Sequence, residues 1–97
     1  MREGFVLFAY DPDREVSVPI ARVIMLSKDY EWFRKAWWKG LHGYDLMVYC
    51  VVEQIRNHCP ELLAHFDSKQ WEFHLNSEGI AAIKGVDLDK LPVVDMT

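Results

Sequence analysis

Seven consecutive residues, Gly4 to Tyr10 (GFVLFAY), carry no charge and run straight into the turn sequence Asp11-Pro12-Asp13. An apolar run of this length, closed by turn formers and rich in aromatic and β-branched side chains, is the pattern of a strand buried on both faces. A central strand needs neighbours, and the next stretch supplies one. Residues 15–26 (EVSVPIARVIML) are rich in β-branched residues, and Pro19 within them has no N–H for a ladder. The second strand is therefore expected at an edge or bulged at the proline, forming a hairpin or neighbouring pair with the first.

Helical signals follow. Ser27 is placed to cap a helix, with Asp29 and Glu31 in its first turn, where the helix dipole favours negative charge. Gly40 and Gly43 are expected to end it. At 100° per residue, Tyr30, Phe33, Ala36, Trp37 and Leu41 share one arc, and Glu31, Lys35 and Lys39 line the other side. This assigns Trp37 to the core and leaves Trp32 and Trp38 on the shoulders of the stripe. Arg34, one turn before Trp38, is placed to stack on its indole.

Asp45 can cap a second helix, which must stop near Cys59 because Pro60 disfavours helical backbone before it. Val48, Val51, Val52 and Ile55 make its core stripe. Leu46, Met47, Tyr49 and Cys50 leave the rest of its first two turns apolar as well, which implies burial all round. A homodimer is expected to cover this half, with those four residues at the interface.

Pro60 suits the first position of a short helix, PELLAHF, ended by Asp67-Ser68-Lys69. Trp71, Phe73 and Leu75 then alternate with Glu72 and His74 as in a half-buried strand. Asn76 to Gly79 reads as a hairpin connection into a last strand, IAAIK. Residues 86–97 form an extended or loosely docked tail in which Val93 and Val94 can pack. The order is ββααββ. It implies an α+β fold: one domain over 1–97, a mainly antiparallel four-stranded sheet, and two main helices and a short one on one face.

Eleven basic residues against fifteen acidic give a net charge of −4, which opposes general affinity for nucleic acid. The apolar start reaches acidic turn residues without a small-residue cleavage site, and no run approaches the roughly 18–20 apolar residues of a membrane span. A cytoplasmic protein with no membrane partner is expected. Cys50 and Cys59 lie on one helix about 13 Å apart, beyond disulfide reach, and read as free thiols.

Four histidines and two cysteines invite a metal reading, but His42, His58, His65, His74, Cys50 and Cys59 contain no CxxC, HxxxH or HxH pair. The loop HGYD (His42, Tyr44, Asp45) holds catalytic side-chain types. A turn, a hydrophobic staple and a cap explain it more simply. No phosphate loop, G-x-S-x-G, HExxH or dinucleotide fingerprint is present, so neither an enzyme nor a cofactor is implied. For nucleic acid, Arg34, Lys35, Lys39 and Trp38 would form the patch, and Glu31 and the negative total oppose it.

Two readings use the aromatic shoulders. In the first, Trp32, Arg34 and Trp38 anchor a protein partner, as Trp and Arg most often do. Small acidic domains of this size include inhibitors, immunity-type proteins and mobile-element cargo, an analogy of size and charge alone. In the second, the aromatics line an apolar pocket closed by Tyr44, Tyr49 and Trp71, which takes a small hydrophobic ligand. Geometry separates them: anchors stand exposed, whereas pocket residues converge.

Overall fold

The computed structural model describes residues 1–97. Strands β1 (Arg2–Asp11) and β2 (Val16–Leu26) form the long antiparallel hairpin at the centre of the sheet. Pairing runs in step from Arg2 opposite Leu26 to Leu7 opposite Ala21, then Phe8 faces Pro19, leaving Ile20 as the extra residue of a bulge. The bulge falls beside the proline because Pro19 cannot donate to a regular ladder.

After β2 come α1 (Ser27–Lys35), the two-residue strands β3 (Trp37–Trp38) and β4 (Leu41–His42), and α2 (Tyr44–His58). A 3-10 turn (Pro60–Leu63), β5 (Glu72–Ser77), α3 (Glu78–Ile83), a second 3-10 turn (Leu88–Lys90) and β6 (Val93–Asp95) complete the chain. The fold is α+β, with sheet order β5-β1-β2-β6. β5 is antiparallel to β1, but β6 is parallel to β2, so the sheet is mixed. No helix is long and apolar enough to cross a membrane.

Both faces of the sheet are covered in part. On one, Phe5, Leu7, Ala9, Ala21, Val23, Met25, Leu75 and Val94 pack with Phe33 of α1, with Leu46, Met47, Val51, Val52 and Ile55 of α2, and with Leu63. On the other, Val6 and Phe8 meet Ala81 of α3 and the flanking Val86, Leu88 and Leu91. Near-complete burial of Val6 and Leu7 on opposite faces is what the uninterrupted apolar run required.

The structure departs from the sequence reading at several elements. The IAAIK segment is not a strand: the Ser77 hydroxyl accepts the Ile80 N–H at 3.3 Å, capping α3. Residues 78–92 then cross the sheet's second face, and the fourth strand is Val93–Asp95, added parallel at the far edge. The helices consequently occupy both faces and not one. The PELLAHF segment tightens into a single 3-10 turn at Pro60–Leu63. Helix α1 stops at Lys35, four residues early, and the chain reverses through β3 and β4. Ser27 is its first helical residue and not its cap; its N–H donates to the Met1 carbonyl at 2.9 Å.

The early stop also supplies cover for α2. α1 and β4 pack against that helix, and Leu46 and Met47 are 2% and 4% exposed within the single chain. Those two residues therefore have no surface to offer a second copy. Of the four assigned to an interface, Tyr49 is exposed and Cys50 half-buried.

Candidate functional site

Local geometry sets the site at residues 32–42. Ala36 leaves the helix with extended backbone (φ −75°, ψ 153°), while its N–H still donates to the Trp32 carbonyl at 2.9 Å. Trp37 pairs with His42 and Trp38 with Leu41, and the Gly43 N–H donates to the Ala36 carbonyl at 3.3 Å to close the base. The connecting pair, Lys39 and Gly40, has φ +50° and φ +82°. Positive φ at both central residues is the signature of the type I′ turn that two-residue hairpins prefer. Aromatic residues favour extended backbone, and with this turn they outweigh continuation of the helix.

Reversal of the chain exposes the tryptophans. Trp37 is 71% exposed, correcting its assignment to the core; Trp32 and Trp38 are 61% and 46% exposed. Trp32 meets the buried Phe33 ring edge-on, with centroids 5.3 Å apart. Trp38 lies 6.0 Å from Tyr49 of α2, and the Lys39 ammonium sits 4.4 Å from its ring centroid, a cation–π geometry. Lys39 thus takes the place expected of Arg34, whose guanidinium pairs with Glu31 at 3.2 Å on the helix. With the helix ended at Lys35, Arg34 and Trp38 no longer share the one-turn spacing that would stack them.

Tyr44 and Trp71 do other work. The Tyr44 phenol oxygen accepts the Leu75 N–H of edge strand β5 at 2.8 Å. Its ring borders an open depression with Tyr10, His74 and Asn76. Trp71 packs edge-on against Phe66 at 5.0 Å, under Arg14. It borders a separate depression with Phe73 and Arg56. Neither hollow includes Trp32, Trp38 or Tyr49, so the aromatics do not converge on one pocket. The space between helices and sheet is filled by core side chains.

Asp11 and Cys50 are titratable groups shifted by their local surroundings. Hydrogen bonds from Gln70 (2.7 Å) and Arg14 (2.6 Å) hold the buried Asp11 carboxyl down to about 2, against the opposing effect of desolvation. Burial, with Glu53 adding to it, pushes the Cys50 thiol up, away from the thiolate a nucleophile needs. Cys50 and Cys59 are both free. No three His, Cys, Asp or Glu side chains converge as a metal-holding group.

Comparison with family models, with curated proteins and with solved structures finds no match to this chain.

Sequence reasoning put Trp37 in the core and gave Lys39 only a place in a nucleic-acid patch; it missed that both stand on an exposed hairpin. Their signal was the dipeptide Lys39-Gly40 between an aromatic pair and Leu41, a hairpin turn whose first residue is neither Asn, Asp nor Gly.

Proposed function

We propose that the protein acts by binding another protein, with Trp32, Trp37 and Trp38 as anchors and Arg34, Lys35, Lys39 and Tyr49 around them. One observation carries this reading: three tryptophans within seven residues stand in water beside a core that is complete without them. A tryptophan presents about 150–250 Å² of surface, and apolar burial is worth about 25 cal/mol per Å². Each half-exposed indole therefore withholds about 2–3 kcal/mol that a partner can recover.

A small-molecule pocket has less support, because Tyr44, Tyr49 and Trp71 border different parts of the surface. A second copy of the chain through α2 is also a weaker occupant, since Leu46 and Met47 already lie in the core. The anchor residues touch no group placed for catalysis, and the reading is of a binding module, as for inhibitor or immunity-type proteins.

Photo-crosslinking tests it, with a crosslinkable residue at position 37 and a control at exposed Glu61. One saturable adduct of defined mass is expected at 37, absent at 61 and lost on Trp38→Ala. Trp37→Ala and Trp38→Ala should change stability by about 1 kcal/mol or less, whereas a core aromatic truncation costs about 3–5 kcal/mol. Losses of that larger size at Trp37 would return it to a structural role and defeat the reading.

A further inference from the structure

The charge of this chain is unevenly placed. Residues 32–42 hold Arg34, Lys35 and Lys39 and no carboxylate, so the remaining 86 residues carry 8 basic and 15 acidic side chains. With Glu31, which pairs with Arg34, counted in, a chain of net −4 presents its aromatic anchors inside a local excess of +2. Of the three cations, Arg34 alone has a carboxylate partner, the exposed Glu31 on the adjoining turn of α1.

Lys39 supplies a second, independent observation. Its φ of +50° is a conformation that Gly, Asn and Asp adopt at little cost and a lysine does not. A lysine held there places its ammonium 4.4 Å from the centre of the Trp38 ring. Sparsely populated backbone of this kind gathers where a side chain has a task beyond folding.

Resting on the protein-binding reading above, we infer that the partner presents carboxylates around an apolar cleft that receives the tip of the hairpin, with Trp37 against one wall and Trp38 against the other, while Lys35, Lys39 and Arg34 meet the acidic rim. Such a partner complements both the aromatic surface and its charge. A single-stranded nucleic acid fits less well. Trp37 and Trp38 are consecutive residues of one strand and point to opposite faces, so they make no common platform for successive bases. The net −6 outside the patch also repels an extended phosphate chain or an anionic lipid surface.

The test is selection of a phage-displayed random dodecapeptide library on the full immobilised chain, on the Trp32→Ala/Trp37→Ala/Trp38→Ala variant, and on Lys35→Gln/Lys39→Asn. Asparagine keeps the turn conformation at 39, and a thermal melt confirms that each variant folds. Peptides rich in Asp and Glu around Leu or Phe are expected. Their affinity should fall about 3- to 10-fold on neutralising the two lysines and again on raising salt from 50 to 300 mM. Neutral or basic peptides that need the tryptophans would overturn the acidic partner and leave protein binding standing. Peptides held equally by the tryptophan variant, or none enriched, would overturn both. Tighter binding to a dT20 oligonucleotide or to phosphatidylserine vesicles than to the selected peptides also overturns the inference.

Discussion

The Tyr44 phenol oxygen lies 2.8 Å from the Leu75 backbone nitrogen and accepts its N–H, joining the first residue of α2 to the outer edge of β5. An edge strand offers unpaired backbone groups to any other strand that approaches. Here one of them is already occupied, at a residue only 4% exposed. Tyr44→Phe keeps the ring and removes the acceptor. It should cost about 1–2 kcal/mol in urea denaturation, the range for orphaning a buried donor. An unchanged midpoint would mean that water satisfies Leu75 equally well.

Asp11 gives the acid limb of stability its sign. Its carboxyl titrates near 2 in the folded chain, below its ordinary range, so the folded state binds fewer protons than the unfolded state between those values. The stabilisation is complete above about pH 4 and is lost as pH falls toward 2. Asp11→Asn should flatten the stability–pH curve in that window and lower stability at neutral pH. A variant that keeps the wild-type slope between pH 4 and 2 would assign the acid limb to other carboxylates.

Gly4 is a close-approach glycine. A Cβ there would overlap the Glu78 carboxylate, which is held by the Arg22 guanidinium at 2.5 Å. Gly4→Ala should destabilise by about 1 kcal/mol or less, because the overlapping group ends a flexible side chain that can swing aside at the expense of its partly exposed pair with Arg22. On a Glu78→Ala background the same change should be nearly neutral, since the overlapping group is gone. Additivity in this double-mutant cycle would refute the clash.

Lys39→Asn should stabilise the isolated protein by about 0.5–1 kcal/mol, because asparagine tolerates the left-handed backbone at φ +50° better than lysine does. Calorimetry would show a raised Tm. A lowered Tm would mean that the ammonium over Trp38 contributes more than the backbone strain costs.

The central hairpin was legible because its signals are redundant: an unbroken apolar run, a charged turn and a proline that enforces a bulge all act locally. The second helix was legible for the same reason. The end of α1 was not, because Tyr30, Phe33, Ala36, Trp37 and Leu41 satisfy a helical wheel that the I′ turn at Lys39-Gly40 overrides. Residues 76–83 failed differently: Ser77 suits a hairpin and a helix cap alike, and only Val6 and Phe8 waiting on the second face of the sheet decide for the helix. Strand β6 has three residues and no pattern of its own, so its place comes from the open edge of β2. Among the site residues, Trp32, Arg34, Lys35, Trp38, Lys39 and Tyr49 were named from sequence, whereas the exposure of Trp37 and the contact of Lys39 with the Trp38 ring emerge only once the helix is known to stop.

The pairing of β2 with β6 joins residue 22 to residue 93, and that of β1 with β5 joins residue 5 to residue 77. The central hairpin is complete once residue 26 is made, while both of its flanks wait for the final third of the chain. Loop closure over such distances is slow. During synthesis the nascent protein therefore holds a long, apolar, two-edged ribbon for as long as the ribosome needs to add the last segment. A codon change that delayed residues 72–95 would lengthen the time both hairpin edges stay unpaired without altering a single atom of the finished molecule.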